Sequence, residues 1–393
     1  MHKLINLAII ASHPIQYYAP LFKSIAQDKY FKIKVFYLWD FGVTEQLDQG
    51  FNKPLKWDIP LLDGYNFEFV RNLSKDPGTH HIFGLQNPNL TQQVLAFKPE
   101  AILLTVSYNY ASIYSFIWQM RNINIPLIFR GDSHRIQAKN DFKSRLKKLF
   151  ITKIFENFDA CLYVGQANYE YFKYHSVLKS KLFFTPHAID NNRFSAMTNE
   201  ISSQAKNWKQ ELGIPLKNRV ILFAGKFEDT KRPLDLIQAF INAQLKSVSL
   251  LLVGTGNLDS EMQDLSKHHE QIYFAPFQNQ SLMPRTYASC DVFVLPSYGE
   301  TWGLAINEAM CMGCPVIVSS HVGCAADLVK PMKNGLVFEA GNVEALTASL
   351  KEALADGDRL KRWGEESKII VRDYCYDRII KGLKEALAAI FNK

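Results

Sequence analysis

The stretch DVFVLPSYGETWGLAINEAMCMGCPVIVSS, residues 291–320, decides the fold predicted for this chain. Asp291–Leu295 is a short apolar run, and Pro296 ends it because proline has no N–H for a sheet. A loop follows, and the apolar spacing then predicts a helix from about Gly303 to Met312. Pro315–Ser320 is the next apolar run. The stretch therefore predicts a strand–loop–helix–strand unit of an α/β protein with parallel sheets.

Two carboxylates flank the predicted helix start. Glu300 precedes the helix and Glu308 lies on its second turn, with seven residues between them. The first N–H groups of a helix have no partner within it, and here they belong to Thr301, Trp302, Gly303 and Leu304. Because carboxylates accept hydrogen bonds from paired hydroxyls, this group suits a polyol such as a sugar or ribose. The alternative is that both glutamates only complement the helix dipole.

The spacing E-x7-E, followed by a G-x-PV strand, resembles the signature of the retaining glycosyltransferases of family four, the group 1 glycosyltransferases. The resemblance covers most of the chain and is strongest from about residue 219 to 340. It implies the GT-B fold, in which two Rossmann-like, doubly wound parallel-sheet domains face each other across a cleft. It also implies that a nucleotide-diphosphate sugar binds the second domain and an acceptor binds the first.

The length of 393 residues agrees with two domains. We expect an acceptor-side domain over residues 1–195 and a nucleotide-sugar-binding domain over residues 196–375. The GT-B resemblance implies that a last helix, within residues 376–393, crosses back to the first domain.

The composition, 47% hydrophobic and 21% charged, is typical of a soluble globular protein. No apolar run approaches the ~18 residues of a membrane span. Leu4–Ala11 is predicted to be a buried strand rather than a signal peptide, because no small-residue cleavage site follows it. We therefore expect a cytoplasmic protein with reduced cysteines, in which Cys311 and Cys314 serve packing rather than zinc binding. No nucleic-acid partner is predicted.

Residues 135–154 predict a basic amphipathic helix. The segment contains a single acidic residue, Asp141. It contains seven basic residues, namely Arg135, Lys139, Lys143, Arg145, Lys147, Lys148 and Lys153. Apolar residues recur at helical spacing, namely Phe142, Leu146, Leu149, Phe150 and Ile154. This pattern suits an anionic membrane surface and a peripheral position at the inner face of the membrane. The alternative, which is compatible with the first, is a solvated helix that packs its apolar stripe on the sheet.

Candidate acceptor-side residues follow predicted strands of the first half. His13 and Gln16 follow the first strand, where doubly wound sheets bind ligands. Pro14 and Ile15 stand where family members usually have a glycine-rich turn, so close approach of a phosphate is not predicted there. The alternative for His13 is a local hydrogen bond.

Residues 50–69 are predicted to form a long loop that contains Trp57 and Asp58. An aromatic face beside a carboxylate suits carbohydrate, although a packed Ω-like loop fits the pattern equally well. In FRGDSHR (129–135), Arg130, Asp132 and His134 are expected to face the cleft. The resemblance gives His134 the role of a family histidine that lies beside the donor sugar.

Lys226 and Lys231 follow a predicted strand in RVILFAGKFEDTKRP (219–233), just before a helix that Pro233 is expected to open. Two ammonium groups near a helix N-terminus form an anion site, here for a diphosphate. Family members usually have arginine at the first of these places. The alternative is two solvated lysines in a loop.

Three further motifs complete the interpretation. By resemblance, Pro276 and Phe277 hold the nucleobase, mostly through backbone groups. The turn Gly254-Thr255-Gly256 lacks the full dinucleotide fingerprint because Asp259 occupies the last glycine position. Asp356-Gly357-Asp358 is predicted to be a solvated turn between helices rather than a metal site.

The sequence thus predicts a retaining, metal-independent hexosyltransferase with no cofactor, which moves a sugar to a glycan or lipid-linked acceptor in cell-surface polysaccharide biosynthesis. Lys226 and Lys231 would stabilise the leaving diphosphate. By resemblance, Glu308 holds the ribose and Glu300 a sugar hydroxyl. The alternatives are a nucleotide-sugar epimerase or hydrolase on the same scaffold and a non-catalytic nucleotide-sugar-binding subunit.

Overall fold

The computed structural model describes residues 4–44, 46–48, 53–137, 141–195 and 198–392. The chain so described divides into two compact units. The first comprises Met1–Gln46, Leu55–Pro186 and Tyr376–Lys393, and the second comprises Leu47–Pro54 and His187–Cys375.

Both units are built on parallel sheets. In chain order the strands are β1 (Ile5–Ala11), β2 (Phe31–Tyr37), β3 (Gln46–Asp48), β4 (Lys53–Leu55), β5 (Asn66–Phe69), β6 (Ala101–Leu104), β7 (Leu127–Arg130), β8 (Ala160–Tyr163), β9 (Leu182–Phe184), β10 (Arg219–Ala224), β11 (Val248–Val253), β12 (Ile272–Ala275), β13 (Val292–Leu295), β14 (Val316–Ser319) and β15 (Gly335–Phe338).

Helices connect most of these strands. In chain order they are α1 (Ala19–Gln27), α2 (Leu90–Ala96), α3 (Ala111–Met120), α4 (Phe142–Phe155), α5 (Gln166–Tyr174), α6 (Asn191–Ser195), α7 (Asn199–Glu211), α8 (Pro233–Ala243), α9 (Asp259–Ser266), α10 (Met283–Ala288), α11 (Leu304–Cys311), α12 (Ala325–Leu328), α13 (Val343–Leu354), α14 (Gly357–Val371) and α15 (Tyr376–Phe391).

Across the described residues, the first unit has a seven-stranded sheet of order β5-β2-β1-β6-β7-β8-β9, and the second has a six-stranded sheet of order β12-β11-β10-β13-β14-β15. All neighbouring strands in both run parallel. The central strands β6, β7, β13 and β14 are buried along their whole length, as expected for sheets covered on both faces. The predicted pair of doubly wound domains is confirmed, and this is the architecture of the GT-B fold.

The predicted loop over residues 50–69 is wrong in part. Lys53–Leu55 pairs with Gln46–Asp48, and Asn66–Phe69 forms the edge strand of the first sheet beside β2. The pattern was hard to interpret because β5 lies at the edge and its residues are only partly buried. Residues 50–52 lie outside the described residues.

The division between the units falls at Pro186–His187, before the predicted boundary at residue 195. Residues after Pro186 are held by the second unit. Asn307 Nδ2 donates to the His187 carbonyl over 3.3 Å, and Arg193 Nη2 donates to Gln280 Oε1 over 2.5 Å.

The last helix, α15, belongs to the first unit, where it packs on β8, β9 and α1. Its buried residues are Ile379, Ile380, Gly382, Leu383, Ala386 and Leu387. Lys384 Nζ also lies 2.7 Å from Asp28 Oδ2 just after α1. The chain therefore returns to its first unit at the end, although it is continuous in sequence with the second.

The basic helix α4 divides its apolar residues between two environments. Ile151, Ile154 and Phe155 are buried in the first core. Leu146, Leu149 and Phe150 are 53%, 66% and 55% exposed. The expected stripe therefore packs only in part. Lys139, which precedes this helix, lies outside the described residues.

Candidate functional site in the second unit

The second sheet has its topological switch point between β10 and β13. From β10 the chain continues outward to β11 and β12, whereas from β13 it continues to β14 and β15 on the other side. The loops that leave β10 and β13 therefore separate at the carboxyl edge of the sheet. In open α/β sheets this crevice is where ligands bind.

An ion pair joins the two loops at this crevice. Lys231 Nζ contacts Glu300 Oε2, and the side chains are only 21% and 17% exposed. The backbones are joined as well, because Tyr298 N donates to the Thr230 carbonyl over 2.8 Å. Two residues predicted separately from sequence, one cationic and one anionic, thus lie together.

The Glu300 loop is fixed by the segment after β14. Gly323 N donates to the Glu300 carbonyl over 3.0 Å, and Cys324 N donates to the Trp302 carbonyl over 3.0 Å. These bonds hold the main chain of the loop, so the Glu300 carboxylate is presented from a rigid support.

Helix α11 begins at Leu304, directly after this loop. Its N-cap residue Gly303 has a φ of +97°, and a Cβ there would lie 3.1 Å from Val322 Cγ1. A glycine is therefore needed for the sharp turn into the helix. The turn brings the start of α11 close in sequence to Glu300, and Ile306 N in the first helical turn donates to the Gly303 carbonyl over 2.8 Å.

The buried side chain of Trp302 supports this turn. Its side chain is only 3% exposed, and its Nε1 donates to Asn307 Oδ1 over 2.9 Å. The indole also lies near the rings of His187 and Tyr374, at 5.6 and 6.0 Å between centroids. Trp302 can therefore offer a ligand its main chain, while its side chain holds α11 in place.

Glu308 lies on α11 and is 2% exposed. Tyr287, itself 1% exposed, donates its hydroxyl to Glu308 Oε2 over 2.7 Å. One carboxylate oxygen is thus oriented by a buried hydroxyl from α10. The dipole interpretation alone does not explain this arrangement, because a carboxylate serving only the dipole needs no buried partner.

Lys226 follows β10 by two residues, and Pro276 and Phe277 follow β12, so all three lie at the same carboxyl edge. The Pro276 carbonyl accepts a hydrogen bond from Gln278 Nε2 over 2.8 Å. Arg285 Nη2 in turn donates to Gln278 Oε1 over 2.8 Å. The backbone predicted to face a nucleobase is therefore braced by two side chains.

The turn after β11 is hydrogen-bonded to a carboxylate of the chain itself, that of Asp259. Asp259 Oδ2 accepts from Thr255 Oγ1 over 2.6 Å and from Gly256 N over 3.2 Å. Asp259 thus occupies the position where a glycine-rich turn offers N–H groups to a phosphate. The dinucleotide fingerprint is thus incomplete at this turn.

The first unit has a comparable switch point, between β1 and β6. His13 follows β1, bonds to Ser12 Oγ through Nδ1 over 3.1 Å, and packs its ring 5.5 Å from Trp39 and 5.4 Å from Phe41. The expected local hydrogen bond exists, and the ring also has aromatic neighbours. Gln16 is half-buried in the same loop.

Trp57 and the loop after β1 both pack against Gly42. A Cβ on Gly42 would lie 2.9 Å from the Pro14 carbonyl and 3.0 Å from Trp57 Cδ1, so both neighbours lie against the same glycine. Trp57 N also donates to the Gly42 carbonyl over 3.2 Å. Asp58, next in sequence, is exposed.

Arg130 is buried rather than directed to an open site, which corrects the expectation from sequence. The guanidinium is 1% exposed and donates to the Tyr18 hydroxyl over 3.0 Å and to the Pro186 carbonyl over 3.0 Å. It joins the ends of β7 and β9 to the start of α1. Asp132 and His134 are half-buried in the loop after β7.

Residues 204–369 match the family model of the glycosyl transferases group 1. These residues form a group 1 glycosyltransferase domain. The match covers the switch point, the Lys231–Glu300 pair and α11.

Relatives of known sequence agree with this domain. A D-inositol 3-phosphate glycosyltransferase of Corynebacterium glutamicum is 23% identical over 314 residues, which are 72% of this chain and 74% of that protein. An uncharacterized glycosyltransferase of Methanocaldococcus jannaschii is 28% identical over 180 residues, 44% of this chain and 46% of that protein. Against the latter relative, the match thus spans less than half of its length.

The whole chain shares its fold with solved GT-B proteins. The crystal structure of Anabaena HepE in complex with UDP and glucose superimposes with a TM-score of 0.74 at 17% identity, over 98% of this chain and 100% of HepE. At this identity the likeness establishes the fold alone.

Sequence reasoning missed the residues that support the candidate site. Tyr287 orients Glu308, Asn307 joins Trp302 to the segment after Pro186, and His187 accepts from Asn307. These residues are far apart in sequence, so no spacing indicated them. The one available signal was the adjacency of Asn307 and Glu308 on the helix.

Of the four cysteines within residues 204–369, Cys311, Cys314 and Cys324 are buried and Cys290 is half-buried. Cys290 Sγ and Cys314 Sγ lie 3.3 Å apart. Burial raises the pKa of the Cys311 thiol to about 12 and that of Cys324 well above its ordinary value. Thiols of this kind are inert at neutral pH, in agreement with a packing role.

Among the described residues, no helix combines the length and the apolar character that crossing a membrane requires.

Proposed function

We propose that this protein transfers a sugar from a nucleotide-diphosphate sugar to a glycan or lipid-linked acceptor, with retention of anomeric configuration and without a metal ion. The donor binds the second unit, and the acceptor binds the first. The observation that carries the proposal is the Lys231–Glu300 pair, set at the switch point beside the start of α11.

Breaking the sugar–phosphate bond leaves negative charge on the diphosphate and positive charge on the anomeric carbon. Lys231 and Lys226 supply positive charge for the departing diphosphate, which makes a metal ion unnecessary. A fixed donor of this kind contributes about 3–4 kcal/mol to transition-state stabilisation. When the donor binds, the Lys231 ammonium turns from Glu300 toward phosphate oxygen, and the carboxylate is released to accept a sugar hydroxyl.

Glu308 accepts hydrogen bonds from the ribose diol, with Tyr287 holding its other oxygen. Pro276 and Phe277 receive the nucleobase through main-chain groups. Retention follows from attack by the acceptor on the face that the phosphate leaves, with His134 beside the donor sugar and Asp132 on the acceptor side. His13, Gln16, Trp57 and Asp58 complete the acceptor-side candidates.

The relatives support this proposal. HepE has been crystallised with UDP, with UDP and glucose, and with UDP-glucose. The relative from Corynebacterium glutamicum is named as a D-inositol 3-phosphate glycosyltransferase. A uridine diphosphate sugar is therefore the first donor to test.

The first experiment is calorimetric titration of the metal-free protein with UDP, GDP, ADP and CMP, repeated with Lys231→Ala. We expect one diphosphate to bind, and the variant to lose at least tenfold in affinity, since one charge-assisted contact is worth about 1.5–3 kcal/mol. Lys351→Ala, an exposed lysine on α13, is the matched control and should bind as wild type.

Binding of none of the four nucleotides would contradict the donor site. Product analysis then separates the rival activities. Transfer to a glycan or lipid acceptor supports the proposal, whereas conversion of the nucleotide sugar without an acceptor would identify an epimerase or hydrolase. Nucleotide-sugar binding without any product would identify a non-catalytic binding subunit.

We further propose that the acceptor is met at an anionic membrane surface in the course of cell-surface polysaccharide biosynthesis. The support is α4, on which Leu146, Leu149 and Phe150 are exposed beside the exposed basic residues Arg145 and Lys147. Apolar side chains at the acyl boundary and cations at the headgroups are the two contributions that peripheral binding needs.

A further inference from the structure

A second cluster of chemically active side chains lies in the first unit, in the loop between β5 and α2. Asp76 Oδ2 lies 3.0 Å from His80 Nε2 and 3.2 Å from His81 Nε2. Among the described residues these three form a group whose ligand atoms all lie within 4.8 Å of one another. Nothing in the proposed sugar transfer uses them.

The two distances between Asp76 and the histidines are compatible with a shared divalent ion. Zinc binds imidazole nitrogen and carboxylate oxygen at about 2.0–2.2 Å, which places neighbouring ligand atoms of a tetrahedral ion about 3.3–3.5 Å apart. The two Asp76–histidine distances are within a few tenths of an ångström of that separation. Both imidazoles present Nε2 to the carboxylate, and their ring centroids are 4.6 Å apart.

The loop that carries the cluster is held in shape before any ion binds. Asn72 Oδ1 accepts from Ser74 N over 3.0 Å and from Gln86 N over 2.9 Å, while Asn72 Nδ2 donates to the Gly84 carbonyl over 2.9 Å. A single amide side chain thus closes the base of the loop.

Contacts within the loop bring its two arms together. Gly78 N donates to the Gly84 carbonyl over 3.2 Å, and Gly84 N donates to the His81 carbonyl over 3.1 Å. A Cβ on Gly84 would lie 2.1 Å from the Gly78 carbonyl oxygen, so this close approach requires glycine.

The tip of the loop is also anchored to α3. The Tyr110 hydroxyl donates to the Thr79 carbonyl over 3.0 Å, and Ala111 N donates to the Ile82 carbonyl over 2.9 Å. The two anchors stand on either side of His80 and His81. The backbone of both histidines is therefore positioned. Their Nε2 atoms already face Asp76, that of His80 at the carboxylate and that of His81 also 3.0 Å from the Asp76 carbonyl oxygen, so a bound ion would replace these contacts.

We propose that Asp76, His80 and His81 form a binding site for a zinc-class divalent ion that clips the loop between β5 and α2. Two imidazole nitrogens and one carboxylate oxygen are a ligand set that suits zinc rather than magnesium or calcium. Each histidine binds through the Nε2 lone pair, with its proton on Nδ1. Three protein ligands leave the fourth position of a tetrahedral ion to water.

The site has a defined place in the fold. It follows β5, at the carboxyl edge of the first sheet, where doubly wound sheets bind ligands. A bound ion would hold this loop as a wall of that edge. The inference rests on the geometry of the loop alone and does not depend on the proposed sugar transfer.

The test is calorimetric titration of chelator-treated full-length protein with Zn²⁺, together with the visible absorption of the Co²⁺ complex. We expect one ion per chain and the intense bands of a four-coordinate cobalt site. Mg²⁺ should not compete. Asp76→Asn and the double variant His80→Ala/His81→Ala should each weaken Zn²⁺ binding at least ~10–100-fold. That is the loss typical when a residue that only hydrogen-bonds to a metal ligand is changed.

The chain offers a matched control in His268 and His269, a second pair of adjacent exposed histidines. The double variant His268→Ala/His269→Ala should keep full Zn²⁺ affinity and the cobalt spectrum. Wild-type protein that binds no Zn²⁺, or equal loss of Zn²⁺ in the two double variants, would overturn the proposal.

A thermal readout keeps the test independent of the titration. Zn²⁺ should raise the Tm of wild type in a concentration-dependent manner, because an ion that binds only the folded state stabilises it. The same addition should leave the Tm of Asp76→Asn unchanged. An equal rise in both proteins would contradict a site at Asp76.

Discussion

At the residue scale, the candidate donor site depends on side chains that a ligand would never touch. Tyr287 fixes one oxygen of Glu308, and Trp302 with Asn307 fixes the start of α11. Each group is nearly fully buried, and buried polar groups cost stability unless they are paired. The site is therefore rigid because its supports belong to the core of the second unit.

Tyr287→Phe removes the hydroxyl that donates to Glu308. We expect the free energy of unfolding to fall by about 1–3 kcal/mol, because a buried carboxyl loses its hydrogen-bond donor. The KM for the nucleotide sugar should rise, because the carboxylate is no longer oriented toward the ribose. Urea denaturation and steady-state kinetics measure the two effects.

The control for this variant is Tyr298→Phe, whose ring is 50% exposed. It should change the free energy of unfolding by less than about 0.5 kcal/mol. Equal stability of wild type and Tyr287→Phe would show that the buried hydrogen bond does not hold Glu308.

His175 makes the stability of the first unit depend on pH. Burial lowers its pKa from 6.5 to about 4. The nearby positive charges that act in the same direction belong to Arg135, Lys148 and Lys147. The unfolded chain takes up a proton below pH 6.5, whereas the folded chain resists it down to about pH 4, so stability is lost as the pH falls through this window.

His175→Phe keeps an aromatic ring beside Tyr171 and Phe155 but cannot bind a proton. The difference in unfolding free energy between pH 7 and pH 4 should shrink by up to about 3 kcal/mol relative to wild type. Denaturant titrations at several pH values measure this. His268→Phe, at an exposed histidine, should retain the wild-type profile, and an unaltered profile in His175→Phe would contradict the assignment.

At the element scale, α4 combines two surfaces in one helix. Its last turns bury Ile151, Ile154 and Phe155, which fold the helix onto the first sheet. Leu146, Leu149 and Phe150 remain more than half exposed, although the Phe150 ring lies 5.8 Å from that of Tyr114. Apolar side chains thus stay exposed beside the cations of the same helix, and the proposed membrane contact depends on this surface.

Leu149→Ser tests this surface. Burying one leucine is worth about 1.5–3 kcal/mol, so we expect the partition coefficient onto vesicles containing phosphatidylglycerol to fall roughly tenfold. Stability should not change, because the side chain is exposed. Vesicle sedimentation measures the binding.

Leu178→Ser is the matched control, since Leu178 is 65% exposed and Leu149 is 66% exposed. It should bind vesicles as wild type does. Equal loss of binding in the two variants would contradict the proposal that α4 binds an anionic membrane. Wild-type binding that is equally strong to neutral phosphatidylcholine vesicles would contradict it as well.

At the scale of the whole molecule, the first unit is completed by the end of the chain. Helix α15 buries apolar residues against β8 and β9, so the first core includes side chains from both termini of the sequence. A change in the last helix should therefore weaken the first unit, although residues 187–375, which precede this helix, all belong to the second unit.

Leu383→Ala removes a side chain that is 1% exposed in α15. We expect a loss of about 2–5 kcal/mol, with faster hydrogen exchange in β8 and β9. Leu350→Ala, which is fully buried in α13, should instead speed exchange in the second unit. Hydrogen exchange mapped by mass spectrometry distinguishes the two, and faster exchange confined to the second unit in Leu383→Ala would refute the assignment of α15.

The sequence by itself determined the two parallel-sheet domains and the residues of the candidate donor site. The periodicities that predict strands and helices depend only on residues near one another in sequence. The stretch from Asp291 to Ser320 alone contains a strand, a turn glycine, a helix and a second strand. Lys226 and Lys231 were predicted from their place after a strand, at the carboxyl edge of the sheet, and Glu300 and Glu308 from their spacing around a helix start.

Only the tertiary structure decided which of these residues meet and what supports them. The Lys231–Glu300 pair, the Tyr287–Glu308 bond and the burial of Arg130 join positions that are 69, 21 and, for Arg130 with Tyr18, 112 residues apart. Tertiary packing also decided that β4 pairs with β3 and that β5 joins the edge of the first sheet. It likewise decided that the two units divide after Pro186. Contacts of this kind depend on how elements pack, and no local period in the sequence records them.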